Sequence, residues 1–324
     1  TEMRYDAAGR VLETISYATA IDSTLLAAVK NGTATVASFN TFVTTAANVS
    51  GAMATATVYD GAGRAVYTLT RMDASNAAVT ERRYDASGRV IAEVSYGKSI
   101  AYASGQTALQ VATAITNAGG DNAANQHLTR TVYDTAGRLR YTIDDAGYVS
   151  QRNYFADGSL GSTRIYGKAI NLSGTPTETQ VANALLTGQT DIRDTSYAYD
   201  AAGRLWKVTD DNGKFETYGY DAVGRRTSYT NKLGNTWLTE YDAAGHVTKE
   251  TTPAVTVGRW DLSLANPLQF DTKGIVTQMT YDALGNVLTT TNADGTTYDY
   301  YDALSRITAI AEPVRAGETS GTII

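Results

Sequence analysis

"YDAAGRLWKVTDDNGKFETYGYDAVGRRTSYTNKLGNTWLTEYDAAGHV" runs from Tyr199 to Val247. Tyr-Asp stands at Tyr199, Tyr220 and Tyr241, 21 residues apart each time. A glycine follows four residues after each tyrosine, at Gly203, Gly224 and Gly245. A short phrase restated at a fixed interval is either a site used many times or a unit of construction.

The phrase extends along the chain. Its complete form is Tyr5, Asp6, Gly9 and Arg10; Tyr59, Asp60, Gly63 and Arg64; Tyr84, Asp85, Gly88 and Arg89; and Tyr133, Asp134, Gly137 and Arg138. It recurs as Tyr199, Asp200, Gly203 and Arg204, and as Tyr220, Asp221, Gly224 and Arg225. Tyr241, Asp242 and Gly245 are followed by His246, and Tyr281, Asp282 and Gly285 by Asn286. Tyr301, Asp302 and Arg306 enclose Ser305 in the glycine slot. "YFADGS" from Tyr154 is a degenerate tenth copy.

Turn chemistry explains the phrase. Asp at the start of a type I turn bonds the amides ahead of it. Glycine adopts the left-handed conformation cheaply and closes a hairpin with a bulge. A second turn lies half a unit on, as in "DDAG" from Asp144, "DDNG" from Asp210, "NKLG" from Asn231 and "NADG" from Asn292. Each unit therefore reads strand, turn, strand, turn, and cannot bury its own face alone. The expected fold is all-β: an antiparallel hairpin ribbon of about ten units in one array over residues 1–324, with about two strands per unit. Ribbons that long twist, so this one is expected to curl or spiral into part of a shell or barrel.

Long spacings place four inserts, at residues 17–56, 96–130, 166–196 and 253–278. They begin at Tyr17, Tyr96, Tyr166 and Pro253, each twelve residues after a motif tyrosine, so they are expected on one edge of the sheet. "YGKSIAYASGQTALQVATAI" from Tyr96 and "YGKAINLSGTPTETQVANAL" from Tyr166 align without a gap, and both end in a helix pattern. In the second, Thr175, Pro176 and Glu178 read as a capping box. Val181, Ala184 and Leu185 form one apolar stripe, matched by Val111, Ala114 and Ile115. These stripes are expected to face protein, with neighbouring inserts the first candidates. Gly188 reads as a helix stop, so valine there should cost far less than at Gly203.

Composition narrows function. The net charge of −6 argues against nucleic acid as partner. No stretch is long and apolar enough for a transmembrane helix. The absence of cysteine excludes disulfides and thiolate metal sites. The opening "TEMRYDAAGR" has no apolar core of a signal peptide, and the chain is expected to be an excised internal fragment that need not carry its targeting signals. No catalytic, cofactor or metal residue is expected. His246 occupies an arginine slot, and His127 lies in a polar insert. Asp144 and Asp145, and Asp210 and Asp211, sit where a second turn wants Asp, and lack the spacing of an EF-hand loop. The recurring Tyr and Arg suggest either a row of sugar-binding groups or a ladder holding units together; the ladder is favoured, because these residues are inseparable from the turn.

"YDAAGRL", "YDTAGRL" and "YDASGRV", each with its second turn, resemble the YD repeat. This is the signature of Rhs proteins, of the B and C subunits of insecticidal toxin complexes, of wall-associated bacterial proteins and of teneurins. The resemblance covers nearly the whole chain outside the inserts. It implies a β-ribbon spiralling into a hollow shell, and in the bacterial toxins a shell around a C-terminal toxin. It implies a secreted or cell-surface bacterial protein with a non-enzymatic role, whose partners are the rest of the shell and an enclosed toxin. The alternative is a surface adhesin that binds carbohydrate. Toxin-bearing members close the shell with an aspartate-, proline- and glycine-rich self-cleaving segment. Nothing in this chain matches that segment, so neither cleavage nor a toxin is assigned to it.

Overall fold

The computed structural model describes residues 1–17, 20–45, 51–260 and 268–313. Parts of the first and fourth inserts, at 18–19, 46–50 and 261–267, and the end of the chain from 314, lie outside the described residues. Among the described residues are 22 strands and four α-helices, which makes the chain all-β with short helices. The strand pairs whose register is described are antiparallel.

The chain divides into two compact units. The first holds Thr1–Asn153 and Arg164–Ile192; the second holds Tyr154–Thr163 and the residues from Arg193 on. In the first, strands follow one another as a meander from Glu2–Tyr5 to Val149–Tyr154, each paired with its successor. The second repeats the pattern from Arg193–Tyr199 to Ile307–Ala311. There Val247–Thr251 pairs directly with Val276–Tyr281, and Val255–Trp260 and Leu268–Lys273 form a separate hairpin.

A meander alternates its turns between two edges. Within each unit the Tyr-Asp turns occupy one edge and the second turns the other. In the first unit the inserts starting at Tyr17 and Tyr96 leave from the second-turn edge, since each follows the return strand of a hairpin. Tyr166 joins them, because its N–H donates to the Val149 carbonyl at 3.0 Å. In the second unit Thr252, just before Pro253, donates its N–H to Ile275 at 2.9 Å on the corresponding edge.

Numbering positions from the motif tyrosine shows which face is buried. The register slips by one just ahead of the tyrosine, so position −1 pairs with +8, as in Val58 with Tyr67 and Val132 with Tyr141. Side chains at −1, +8 and +10 therefore share a face. In the first unit this face carries Val58, Tyr67 and Leu69, and again Val132, Tyr141 and Ile143, all buried. Full burial of a side chain such as Leu69 or Ile143 contributes about 1.5–3 kcal/mol.

The described residues hold four helices, α1 (Ser23–Lys30), α2 (Val36–Thr44), α3 (Ala108–Asn117) and α4 (Glu178–Leu185), of which α3 and α4 cover that face. Val111 and Ile115 of α3 pack with Val58, Tyr67, Leu69, Val79 and Ile100. Val181 and Leu185 of α4 pack with Val132, Tyr141, Ile143 and Val149. The two helices have equivalent environments, and each stripe faces the sheet rather than the neighbouring insert. An isolated helix of eight to ten residues is marginal in water, so this contact supplies its stability.

Two expectations are corrected. The cap of α4 is Thr177, whose side chain accepts the Gln180 N–H at 3.3 Å while Gln180 Oε1 accepts the Thr177 N–H at 2.8 Å. Thr175 and Pro176 precede the cap. Glutamine reaches back as well as glutamate, and α3 does the same with Thr107 and Gln110. Gly188 is not an unstrained helix stop. Its φ of +72° nearly equals the +77° of Gly203, and a Cβ on it would lie 2.9 Å from Lys168 Nζ.

Candidate functional site

The recurring chemistry sits on the Tyr-Asp edge. Asp60 shows the arrangement. Its N–H donates to the Arg64 carbonyl at 2.9 Å and its carbonyl accepts the Gly63 N–H at 3.0 Å. Asp60 Oδ1 accepts the N–H groups of Ala62 and Arg64, both at 2.9 Å, and Oδ2 accepts Arg64 Nε–H at 2.8 Å. The same contacts recur at Asp6, Asp85, Asp134, Asp200, Asp221 and Asp302. The Arg64 backbone N–H, then its guanidinium, hold the Asp60 carboxyl below its ordinary pKa. The motif glycines take φ from +77° to +99°, and Ser305 takes +58° in the same slot. In the degenerate copy Phe155 keeps the backbone turn, with its N–H on the Ser159 carbonyl at 2.9 Å.

Each turn also grips the next unit. The Arg10 guanidinium lies 4.3 Å from the Tyr59 ring centroid, and the Tyr59 hydroxyl donates to the Val11 carbonyl at 2.9 Å. Arg64 and Ala65 hold Tyr84 in the same way, at 4.8 and 2.7 Å. Arg89 and Val90 hold Tyr133, at 4.6 and 2.8 Å. Arg204 with Leu205 on Tyr220, and Arg225 with Arg226 on Tyr241, continue the series in the second unit. Arg64, Arg204 and Arg225 add a bond from NH1 to the carbonyl of the following motif aspartate. His246 replaces arginine by stacking on Tyr281 at 4.6 Å, while the Tyr281 hydroxyl keeps its bond to Val247 at 2.7 Å. Asn286 replaces it by bonding Asp282 and Ser305. Cation–π contacts contribute about 0.5–1 kcal/mol each at partly exposed sites, so the clasp gains its strength by repetition.

A second contact escaped the sequence reading. Tyr17 donates its hydroxyl to Glu2, Tyr96 to Glu81 at 2.5 Å and Tyr166 to Gln151 at 2.6 Å. In all three the tyrosine is at +12, where an insert begins, and the acceptor is at −3. A Glu or Gln 15 residues ahead of each insert tyrosine is the signal that could have found them. Burial, then the bond to Glu2, pushes the Tyr17 pKa up to about 12. Burial and then Glu81 raise that of Tyr96. Tyr102 donates to Glu13, a buried carboxylate that also pairs with Arg4 at 2.9 Å, and so ties the second insert to the first repeat.

The other candidate residues stay in turns or solvent. His127 is exposed and pairs with Asp145 at 2.7 Å. Asp144 accepts the Tyr148 N–H at 2.8 Å. Asp210 accepts the Lys214 N–H at 2.9 Å and Lys232 Nζ at 2.8 Å, and Asp211 bonds Asn212. Among the described residues, no three His, Asp or Glu side chains are placed to hold a metal ion. No helix there is long and apolar enough to cross a membrane.

The RHS Repeat family model matches residues 199–236, 220–254, 269–297 and 281–315. No curated protein matches the sequence. Among solved structures, TcdB2-TccC3 without its hypervariable C-terminal region is similar at 20% identity and a TM-score of 0.43, over 80% of this chain and 13% of that one. TcdB2-TccC3-TEV is similar at 15% identity and a TM-score of 0.25, over 95% and 21%. The Tc holotoxin pore of Photorhabdus luminescens with a TccC3 variant is similar at 17% identity and a TM-score of 0.24, over 80% and 16%. The chain thus spans between 13% and 21% of the length of these three.

Proposed function

We propose that this chain, whose residues 199–254 and 269–315 match the RHS Repeat model, is a wall segment of a large shell, with the Tyr, Asp, Gly and Arg of the motif acting as the structural lock between successive repeats of one array. The observation that carries the reading is the clasp. Tyr59, Tyr84, Tyr133, Tyr220 and Tyr241 have their rings covered by the arginine of the repeat before and their hydroxyls used by its backbone, and Tyr281 has the same arrangement with His246 in place of arginine. A row built for sugars would leave those groups free. The clasp suits a non-enzymatic wall made of many weak, identical joints.

The fuller reading is a curled wall of a secreted or surface-exposed bacterial protein that encloses or displays a C-terminal toxin. Its partners are then further repeats of the same shell and the enclosed domain. A destabilised reporter tethered after Ile324 tests enclosure by protease digestion. Slower digestion than that of the free reporter supports it; equal rates reject it for this segment. A panel of immobilised glycans tests the lock. No signal above a scaffold control is expected, and saturable binding that disappears with Arg204→Ala would overturn the structural assignment.

A further inference from the structure

Helices α2, α3 and α4 share a pattern. Each is capped by threonine, at Thr35, Thr107 and Thr177, with a reciprocal bond from the third helical residue, Ser38, Gln110 or Gln180. Four and eight residues after the cap stand apolar side chains: Phe39 and Val43, Val111 and Ile115, Val181 and Leu185. In α3 and α4 these pairs lie on the hairpin just before the repeat that carries the insert. The insert of the Tyr84 repeat covers the Tyr59 hairpin, and that of the Tyr154 repeat covers the Tyr133 hairpin. Both covered hairpins carry Val at −1, Tyr at +8 and Leu or Ile at +10; no other repeat here does.

The insert of the Tyr5 repeat breaks the pattern at one point. Val111 and Val181 are 0% exposed, whereas Phe39 is 39% exposed. Phe39 and Val43 line an open hollow of about 340 Å³, bordered by Thr1, Glu2, Tyr17 and Ile21. Helix α2 has no buried residue, and Leu26, Val29 and Val36 are also exposed. Tyr17 nevertheless makes its bond to Glu2, as Tyr96 does to Glu81, so the insert is anchored in the usual way.

We propose that the hollow beneath α2 is the seat of one further YD hairpin, paired with strand Glu2–Tyr5 and presenting Val, Tyr and Leu or Ile at −1, +8 and +10 to Phe39 and Val43. The argument is continuity with an interface formed twice elsewhere in the chain, and it rests on the array reading above. The occupant belongs ahead of Thr1 in the same polypeptide, because both covered hairpins directly precede the repeat whose insert covers them.

The chain offers its own probe. Residues 80–84, TERRY, align with residues 1–5, TEMRY. A copy of residues 53–79 fused ahead of Thr1 therefore places the Tyr59 hairpin in register. Hydrogen exchange on the full chain with and without the fusion reads two places. The expected result is slowing of at least tenfold in the amides of both Glu2–Tyr5 and α2. A fused copy carrying Val58→Thr, Tyr67→Thr and Leu69→Thr should protect the strand but not α2, and Phe39→Asp in the parent chain should remove the gain in α2. If the unmutated fusion protects the strand and leaves α2 unchanged, the seat is wrong while the array stands. Protection of neither overturns the array reading as well. Sedimentation of the unfused chain as a dimer with protected α2 would overturn the proposal in favour of a second copy as occupant.

Discussion

Positions −1, +8 and +10 read Val58, Tyr67, Leu69 and Val132, Tyr141, Ile143 in the two helix-covered hairpins of the first unit. In the second unit they read Ala198, Lys207, Thr209; Gly219, Ser228, Thr230; Glu240, Lys249, Thr251; Thr280, Thr289, Thr291; and Tyr300, Ala309, Ala311. The backbone is the same: in both units the register slips before the motif tyrosine and −1 pairs with +8. The side chains are not. The first unit has an apolar face under α3 and α4. Among the described residues, every buried hydrophobic belongs to it. In the repeats from Tyr199 to Tyr281 the second unit carries small residues, threonine and charge on that face, and aromatics stand at the opposite parity, where Tyr218, Tyr229 and Trp237 stack at 5.4 Å centroid separations. One repeat frame thus supports two surface chemistries, because the clasp is at the edge and leaves both faces free to vary.

The widest gap between the units should appear at position +10. Leu69→Ala should cost about 2–5 kcal/mol through lost burial and a cavity, while Thr230→Ala in the second unit should stay within about 1 kcal/mol. Urea unfolding of the two variants measures this, and equal losses would break the comparison. Glycine changes come next. Gly203→Val and Gly188→Val should each cost on the order of 1–3 kcal/mol, since both glycines are left-handed. A loss at Gly203 alone would restore the simpler view of Gly188 as a mere stop.

Clasp variants should abolish the contrast. Arg89→Ala in the first unit and Arg204→Ala in the second should lose similar amounts, about 1 kcal/mol each. Thermal denaturation showing a much larger loss in one unit would mean that the clasp depends on the covered face. The smallest effect concerns pH. Motif carboxyls such as Asp60 and Asp200 are depressed in the folded state, chiefly by the backbone N–H of their own arginine. Their contribution is present above the unfolded-state pKa and fades as pH falls through the lower folded-state value. Asp60→Asn and Asp200→Asn should flatten acid-titration curves by comparable amounts. At the alkaline end, Tyr17, raised to about 12, favours the folded state until pH climbs above the ordinary tyrosine value, and Tyr17→Phe should remove that part of the alkaline loss.

The clasp was half legible in the sequence. Tyr, Asp, Gly and Arg recur at fixed offsets, and turn chemistry assigns the Asp and Gly without further help. That each arginine covers the following tyrosine could be suspected as a ladder. The hydroxyl bond to the backbone two residues beyond the glycine could not, because it spans up to 48 residues across an insert, from Tyr59 to Val11. The contact between +12 and −3 stayed hidden for a similar reason: its glutamates and glutamine lie in strands where such residues pass as ordinary solvent-facing positions.

The sequence by itself determined the period, the turns, the antiparallel hairpins and the places where inserts leave the sheet, since each follows from local backbone preference repeated at a constant interval. Only the tertiary structure decided what the inserts cover. An amphipathic helix shows that it needs an apolar partner, and Val111 and Val181 announce that need plainly, but nothing local says which strand supplies it. That choice depends on how far the insert folds back over the preceding hairpin. It is settled by shape and burial between residues far apart in sequence, such as Ile115 and Val58 or Leu185 and Val132.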